Sequence, residues 1–322
     1  MKKSFILLIL LFVHSAWSLE PFQGQDHDVD DWRCGAPIIK SLRKHDPLNK
    51  LNYSGVNAKL KESLESLSSS NLDYFKKILG SLSSDEQALI DHIEQNHPVP
   101  IVHRTSLPVA QLILESRIDL SSPVKRGVSP RVTPGIEQDL FSGWDCIYAS
   151  AGPPYGIQNY GTVLLRLKND SNFSWGSIYT GFSWTKEVLG RSIYSPATES
   201  MKRDFGNQVY TNNHYNEAIA LHIIHHVRNG TSIRSKGKPY DRATIIKDLL
   251  KISNSDRFWS KVAYHRLGFL EAHYTDDLSI NDIEFVQFRT KDMPIVKLWS
   301  IPNRWYGAGA YSGFIQHYDR ED

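Results

Sequence analysis

Ile101-Val102-His103-Arg104-Thr105-Ser106-Leu107 is the stretch on which the fold turns. Two β-branched residues run into a His-Arg-Thr cluster, and Leu112-Ile113-Leu114 follows at helix-like spacing. β-branched side chains lose rotamer freedom in a helix and fit the pleated surface of a strand. The pattern predicts a buried strand over Ile101–His103 that delivers polar side chains to a cleft, with a helix packed behind it. Such a strand end needs partners for its His and Arg, because an unpaired buried charge is costly. Adjacent strand residues point to opposite faces, so His103 and Arg104 do not both serve one cleft through their side chains. We expect Arg104 to do so.

The chain has 322 residues, 40% hydrophobic and 22% charged, which is the composition of a globular protein rather than a disordered one. Residues 1–18 read as a signal peptide. Lys2 and Lys3 form a positive start, Phe5 to Val13 an apolar run too short to span a bilayer, and Ala16-Trp17-Ser18 a small-x-small cleavage site. The short Lys-Lys start looks bacterial, and the expected location is secreted or periplasmic, with no membrane span. The formal charge of +2 includes both lysines, so the mature chain is near neutral. That gives no electrostatic case for nucleic acid as a partner. Eight Trp and fifteen Tyr suit surfaces that grip flat ligands. The two cysteines, Cys34 and Cys146, read as one disulfide in an oxidising compartment.

The rest of the chain divides at about residue 97. Residues 19–46 are polar, with an Asp-rich run at 26–31, and predict an extended arm. Leu60, Leu64 and Leu67, then Leu72, Phe75, Leu79 and Leu82, repeat at helical spacing; Ser84-Asp85-Glu86 opens a third helix carrying Leu89, Ile90 and Ile93. Residues 19–97 are therefore expected to form an arm and a small helical region, and 98–322 the catalytic domain. In the latter, strands are predicted at Ile101–His103, Cys146–Ala149, Thr162–Leu167, Ile283–Phe288 and Ile295–Trp299, and helices at Asn216–Arg228, Arg242–Ile252 and Phe258–Leu267. Ser121–Gly143, rich in Pro, Gly and Ser, reads as a mobile loop over a site. Strands and helices do not alternate regularly, which favours α+β over a doubly wound α/β fold.

Three stretches combine chemical groups: His103-Arg104-Thr105, Gly143-Trp144-Asp145-Cys146-Ile147-Tyr148-Ala149-Ser150, and Leu270-Glu271 with the anchors Leu278 and Ile283 seven and twelve residues after the glutamate. Their order and spacing resemble the ADP-ribosyltransferase superfamily, most closely the pertussis-like and cholera-like Arg-Ser-Glu toxins. The resemblance covers about Ile101 to Trp299 and rests on short blocks. It implies a split β core with flanking helices and a secreted enzyme that transfers ADP-ribose from NAD, its substrate, to a protein side chain. It gives Arg104 and Glu271 the catalytic roles, and NAD contacts to Arg104, His103, Thr105, Tyr148 and Ser150, with no metal. It also implies an acceptor protein, in a host cell if the protein is delivered there by a partner chain.

Two features depart from that pattern. Phe269 stands where the family usually has Glu or Gln, and Tyr148-Ala149-Ser150-Ala151 replaces Ser-Thr-Ser. A second alignment, to the diphtheria-like class that includes the poly-ADP-ribose polymerases, uses His103, Thr105 and Tyr148 and brings Glu284 into competition with Glu271. The downstream anchors favour Glu271. An NAD glycohydrolase on the same scaffold and a non-enzymatic secreted binding protein are the rival functions. His222 and His226 form an i,i+4 pair, but Ile223 stands where a zinc peptidase needs its glutamate, so they read as packing histidines.

Overall fold

The expected strand at 101 lies at the centre of a mixed sheet. The computed structural model describes residues 33–45, 56–127, 135–156, 160–169, 173–229, 234–235, 238–239, 242–265, 267, 269–296, 298–299 and 315–318; the expected leader, residues 1–18, lies outside them. The strands are β1 (Ile101–Thr105), β2 (Ile147–Ala151), β3 (Val163–Leu167), β4 (Ser174–Ser177), β5 (Val209–Thr211), β6 (Arg234–Ser235), β7 (Lys238–Pro239), β8 (Leu270–Tyr274), β9 (Ile283–Arg289) and β10 (Ile315–Tyr318). The main sheet has the order β10-β9-β3-β1-β2-β8-β4-β5, and β6 pairs with β7 separately. From β9 to β5 every neighbouring pair is antiparallel, and β10 joins β9 in parallel. The fold is α+β.

The helices are α1 (Ala36–His45), α2 (Val56–Leu79), α3 (Ser84–Asn96), α4 (Leu107–Leu114), α5 (Gly135–Phe141), α6 (Glu199–Gly206), α7 (Tyr215–Asn229), α8 (Arg242–Leu250) and α9 (Ser255–Tyr264), with shorter helical turns between. They bury both faces of the sheet. On one face Ile101, Ala149, Leu165, Ala272 and Tyr274 join Leu89, Ile93, Ile219, Ile223, Ile245 and Trp259 in the larger core. On the other, Trp175 and Val209 join Ile38, Leu64, Leu140, Phe141 and Phe205. α1 to α3 thus supply side chains to the same two cores as the sheet. α3 begins at a reciprocal capping box between Ser83 and Glu86. The same Glu86 takes a two-pronged ion pair from Arg228 at the end of α7, with Nε–Oε1 and Nη2–Oε2 both at 2.6 Å.

Four expectations need correction. Ser121–Gly143 is not a loop throughout, because Gly135–Phe141 is α5, with Ile136, Leu140 and Phe141 buried. The 19–46 segment is not an extended arm throughout, because α1 begins at Ala36-Pro37; proline is tolerated in a first helical turn, and Ile38 and Ile39 are buried. The stripes at 60–67 and 72–82 belong largely to one continuous helix, α2. Ile295–Trp299 is not a strand: Met293–Val296 is a helical turn with Pro294 near its start, and Val296 and Trp299 are buried from it.

The Cys34–Cys146 disulfide is formed. It ties the entrance of α1 to the start of β2. Beside it the Cys34 N–H donates to Asp145 Oδ2 at 3.2 Å, and the Gly35 N–H donates to the Phe141 carbonyl at 2.7 Å.

Candidate functional site

β1, β2 and β8 are consecutive in the sheet, and one face of these three strands is polar. Directly opposed residues of antiparallel neighbours share a face, as do residues i and i+2 of one strand. Val102 is opposite Ser150, and Ser150 is opposite Glu271. Arg104 lies two residues beyond Val102, and therefore on that same face. Glu271 is flanked on its other side by Ser177 of β4. One step along, Tyr148 and Trp175 flank His273. Arg104, Tyr148, Ser150, Ser177, Glu271 and His273 thus share one surface, while Ala149, Leu270, Ala272 and Tyr274 point into the larger core.

This surface is covered. Arg104 is 7% exposed, Ser150 2% and Glu271 5%. The turn after β2 folds back over it: Arg104 Nε donates to the Tyr155 carbonyl at 2.7 Å, and Ser150 Oγ donates to the Val102 carbonyl at 3.3 Å. Gly156 has φ +60, and a Cβ there would stand 2.8 Å from Val102 Cγ1 and 3.3 Å from both Arg104 Cγ and Ser150 Oγ. Only glycine satisfies both the left-handed backbone and that close approach.

The electrostatics centre on Glu271. Burial pushes its carboxyl above the usual range. Its Oε2 is buried and makes no hydrogen bond among the described residues. His273 Nε2 lies 3.5 Å from that oxygen. Burial pulls the His273 ring down to about 3, so it is neutral near pH 7 and supplies no countercharge. Phe141, Tyr148 and Trp175 surround the imidazole at ring-centroid distances of 4.3 to 5.0 Å. A second carboxyl, Glu137 of α5, is also raised, by burial and by the Glu271 charge. Its Oε2 accepts the Tyr148 hydroxyl at 3.4 Å, and its Oε1 accepts the Phe182 N–H at 3.2 Å. Burial, then the Glu271 and Glu137 charges, raise the Tyr160 phenol. A ligand here would meet an arginine, a serine hydroxyl, an orphaned carboxylate oxygen and tyrosine rings.

The other expected site residues lie elsewhere. His103 sits on the opposite face of β1 from Arg104, and its Nδ1–H donates to the Tyr148 carbonyl at 2.6 Å. Burial depresses its pKa, which leaves a neutral strand-bridging imidazole. Thr105 is buried on the His103 face, opposite Val163. Glu284 is an outward residue of β9, its side chain 56% exposed, with Oε2 3.6 Å from Arg166 Nε. Arg104, Tyr148, Ser150 and Glu271 come together; His103, Thr105 and Glu284 do not join them.

Glu137, Ser177, Gly156 and Tyr160 escaped the sequence reading. Glu137 lies within the stretch read as a loop, and Ser-Trp-Gly-Ser at 174–177 reads as a turn; neither carries a spacing signal. Among the described residues no group of three His, Cys, Asp or Glu is placed to hold a metal ion. His222 stacks on Phe75 at 4.3 Å and lies 3.3 Å from the Tyr210 hydroxyl, while His226 is exposed. No described helix is long and apolar enough to cross a membrane. Comparison with known protein families and with curated proteins finds no match to this chain.

Proposed function

We propose that the protein is a secreted mono-ADP-ribosyltransferase that cleaves NAD at the Arg104–Ser150–Glu271 surface and passes ADP-ribose to a protein side chain. The observation that supports this reading is that those three residues, from three adjacent strands, share one buried face of the sheet, on which Glu271 Oε2 makes no hydrogen bond among the described residues. In the reaction the bond between ribose C1′ and the nicotinamide nitrogen breaks, and its electron pair leaves with nicotinamide. The positive charge that develops on C1′ is collapsed by the acceptor, which releases a proton. The Arg104 guanidinium suits an anionic diphosphate. Glu271, whose carboxyl burial holds above the usual range, suits the ribose 2′-hydroxyl, and its ionised form suits the developing cation. Tyr148 offers a ring for stacking, and Ser150 a hydroxyl that braces the strands beneath. Access of NAD requires the turn carrying Tyr155 and Gly156 to swing off Arg104.

An NAD glycohydrolase is the second reading, and the low exposure of Glu271 favours it, because water is an acceptor small enough for so enclosed a carboxylate. Incubation with NAD labelled in the ADP-ribose moiety separates the two. Label on protein supports the transferase, free ADP-ribose with nicotinamide supports the glycohydrolase, and intact NAD leaves a non-enzymatic binding protein.

A further inference from the structure

His273 has no part in the reaction scheme above, yet it stands two residues from Glu271 on the same face of β8 and is fully buried. Its Nε2 lies 3.5 Å from Glu271 Oε2. Neither ring nitrogen, nor that oxygen, makes a hydrogen bond among the described residues. Buried polar atoms without partners are rare in folded proteins, and each costs its desolvation energy. The nearest relief lies between two of these atoms. A small turn of either side chain brings Nε2 and Oε2 within good hydrogen-bond range.

The surroundings of the ring say which partner brings the proton. A neutral imidazole has one N–H and one lone pair. Trp175 of β4, Phe141 of α5 and Tyr148 of β2 stand 4.3, 4.9 and 5.0 Å from it, centroid to centroid. With Nε2 turned to Glu271, Nδ1 lies on the far side of the imidazole, within this set of rings. The negative face of an aromatic ring attracts an N–H and repels a lone pair. Nδ1 therefore carries the hydrogen, Nε2 is bare, and the Glu271 carboxyl supplies the proton between them. The charged neighbours pull in opposite directions. Arg104, two strands away on this face, favours an ionised Glu271, and the charge of Glu137 from α5 opposes it. Tyr148, Tyr160, Ser150 and Ser177 bring hydroxyls only.

We propose that His273 is a positioning residue for Glu271, whose Nε2 holds the carboxyl proton in a hydrogen bond and takes it over when the carboxyl ionises. In that step the Glu271 O–H bond breaks and an Nε2–H bond forms, so a carboxylate and an imidazolium replace two neutral groups and no proton leaves the buried face. The rings around His273 suit an imidazolium through cation–π contacts. The value of the carboxylate to the reaction rests on the NAD-cleaving reading.

The test is nicotinamide release by the full-length mature protein across neutral and alkaline pH, wild type against His273→Phe, whose ring suits the aromatic surroundings. In the wild type the proton stays within the pair, and the rate is expected to be level through neutral pH. In the variant Glu271 must give its proton to solvent. Its rate is expected to be roughly tenfold or more below wild type near pH 7, and to climb by roughly tenfold per pH unit on the alkaline side. Titration of Glu137 or Tyr160 marks both profiles alike. A lower rate with the wild-type profile would mean that the imidazole only packs, which would overturn the proposal. Nitrogen NMR of the protein with isotope-labelled histidine reads the proton without any substrate. The His273 signals are those that His273→Phe removes and Glu271→Gln shifts, so the second variant identifies them if the first fails to fold. Hydrogen on Nδ1 with a bare Nε2 is expected at neutral pH; hydrogen on Nε2 also overturns the proposal. If the wild type leaves NAD intact, the functional reading falls, and the NMR signals still decide where the proton sits.

Discussion

Removing the Cys34–Cys146 bridge should cost the fold several kcal/mol, and the size of that loss follows from where the bridge sits. The two half-cystines are 112 residues apart. Closing a loop of that length in the unfolded chain lowers its entropy by about 16 cal/mol/K on the chain-entropy model, which is about 5 kcal/mol at 25 °C. Measured bridges often give less, because denatured chains keep some structure, so about 3 to 5 kcal/mol is the expected loss for the double variant Cys34→Ala/Cys146→Ala. Both sulfurs are buried in the second core beside Asp145 and Phe141, and the alanines leave small voids that add to the cost. Urea unfolding followed by tryptophan fluorescence gives the number. The unbridged denatured state exposes more surface, so the slope of stability against urea should rise as the midpoint falls. A loss under about 1 kcal/mol with an unchanged slope would refute this reasoning, and would mean that α1 and β2 hold together without the covalent tie.

Four other perturbations have worked outcomes. Arg228→Met leaves Glu86 buried without its partner. Arg228 first, and then the Ser83 capping contacts, hold the Glu86 pKa at about 2 rather than 4.5 against burial, so their contribution is present above about pH 4.5 and lost as pH falls through about 2. About 3 kcal/mol should disappear at neutral pH. Lys247→Met, which removes the exposed pair with Asp85, should cost at most about 1 kcal/mol; thermal unfolding that showed equal losses would contradict this. Gly156→Val forces a β-branched residue into a left-handed backbone against Val102. It should lower stability by about 2 kcal/mol or more, and an unchanged melting temperature would show that the turn does not press on the strands. Glu271→Gln should stabilise the protein near pH 8. The raised Glu271 pKa means that the folded state binds a proton the unfolded state releases near pH 4.5. Wild-type stability is therefore full below that value and falls as pH rises toward the folded one. Melting temperatures of the two proteins should converge near pH 4 and separate at pH 8; a constant gap would contradict this.

How much of this was legible in the sequence depends on what each segment buries. β1 announced itself because Ile101 and Val102 are β-branched and both faces of the strand are covered. β8 did not: Leu270-Glu271-Ala272-His273-Tyr274 alternates as a half-exposed strand would, but all five residues are buried, and the polar members face an enclosed site instead of water. Ser174–Ser177 has the composition of a turn and becomes a strand through pairing with β8 and β5, which no local propensity reveals. Met293-Pro294-Ile295-Val296 carries apolar residues that suit either structure, and the proline position tips it to a helical turn. The strand residues of the site could be found because strand parity links Arg104, Ser150 and Glu271 once the strands are placed. Glu137 could not, since only tertiary packing brings α5 over β8.

The central claim is that Glu271, and not Glu284, is the carboxylate of an NAD-cleaving site. Nicotinamide release by the wild-type, Glu271→Gln and Glu284→Gln proteins tests it most directly. Glu284 is an exposed partner of Arg166 and its replacement should leave turnover within about twofold, whereas replacing Glu271 should reduce it by roughly a hundredfold or more, the scale of losing one group that steadies transition-state charge. Full turnover in the Glu271 variant with loss in the Glu284 variant would contradict the account.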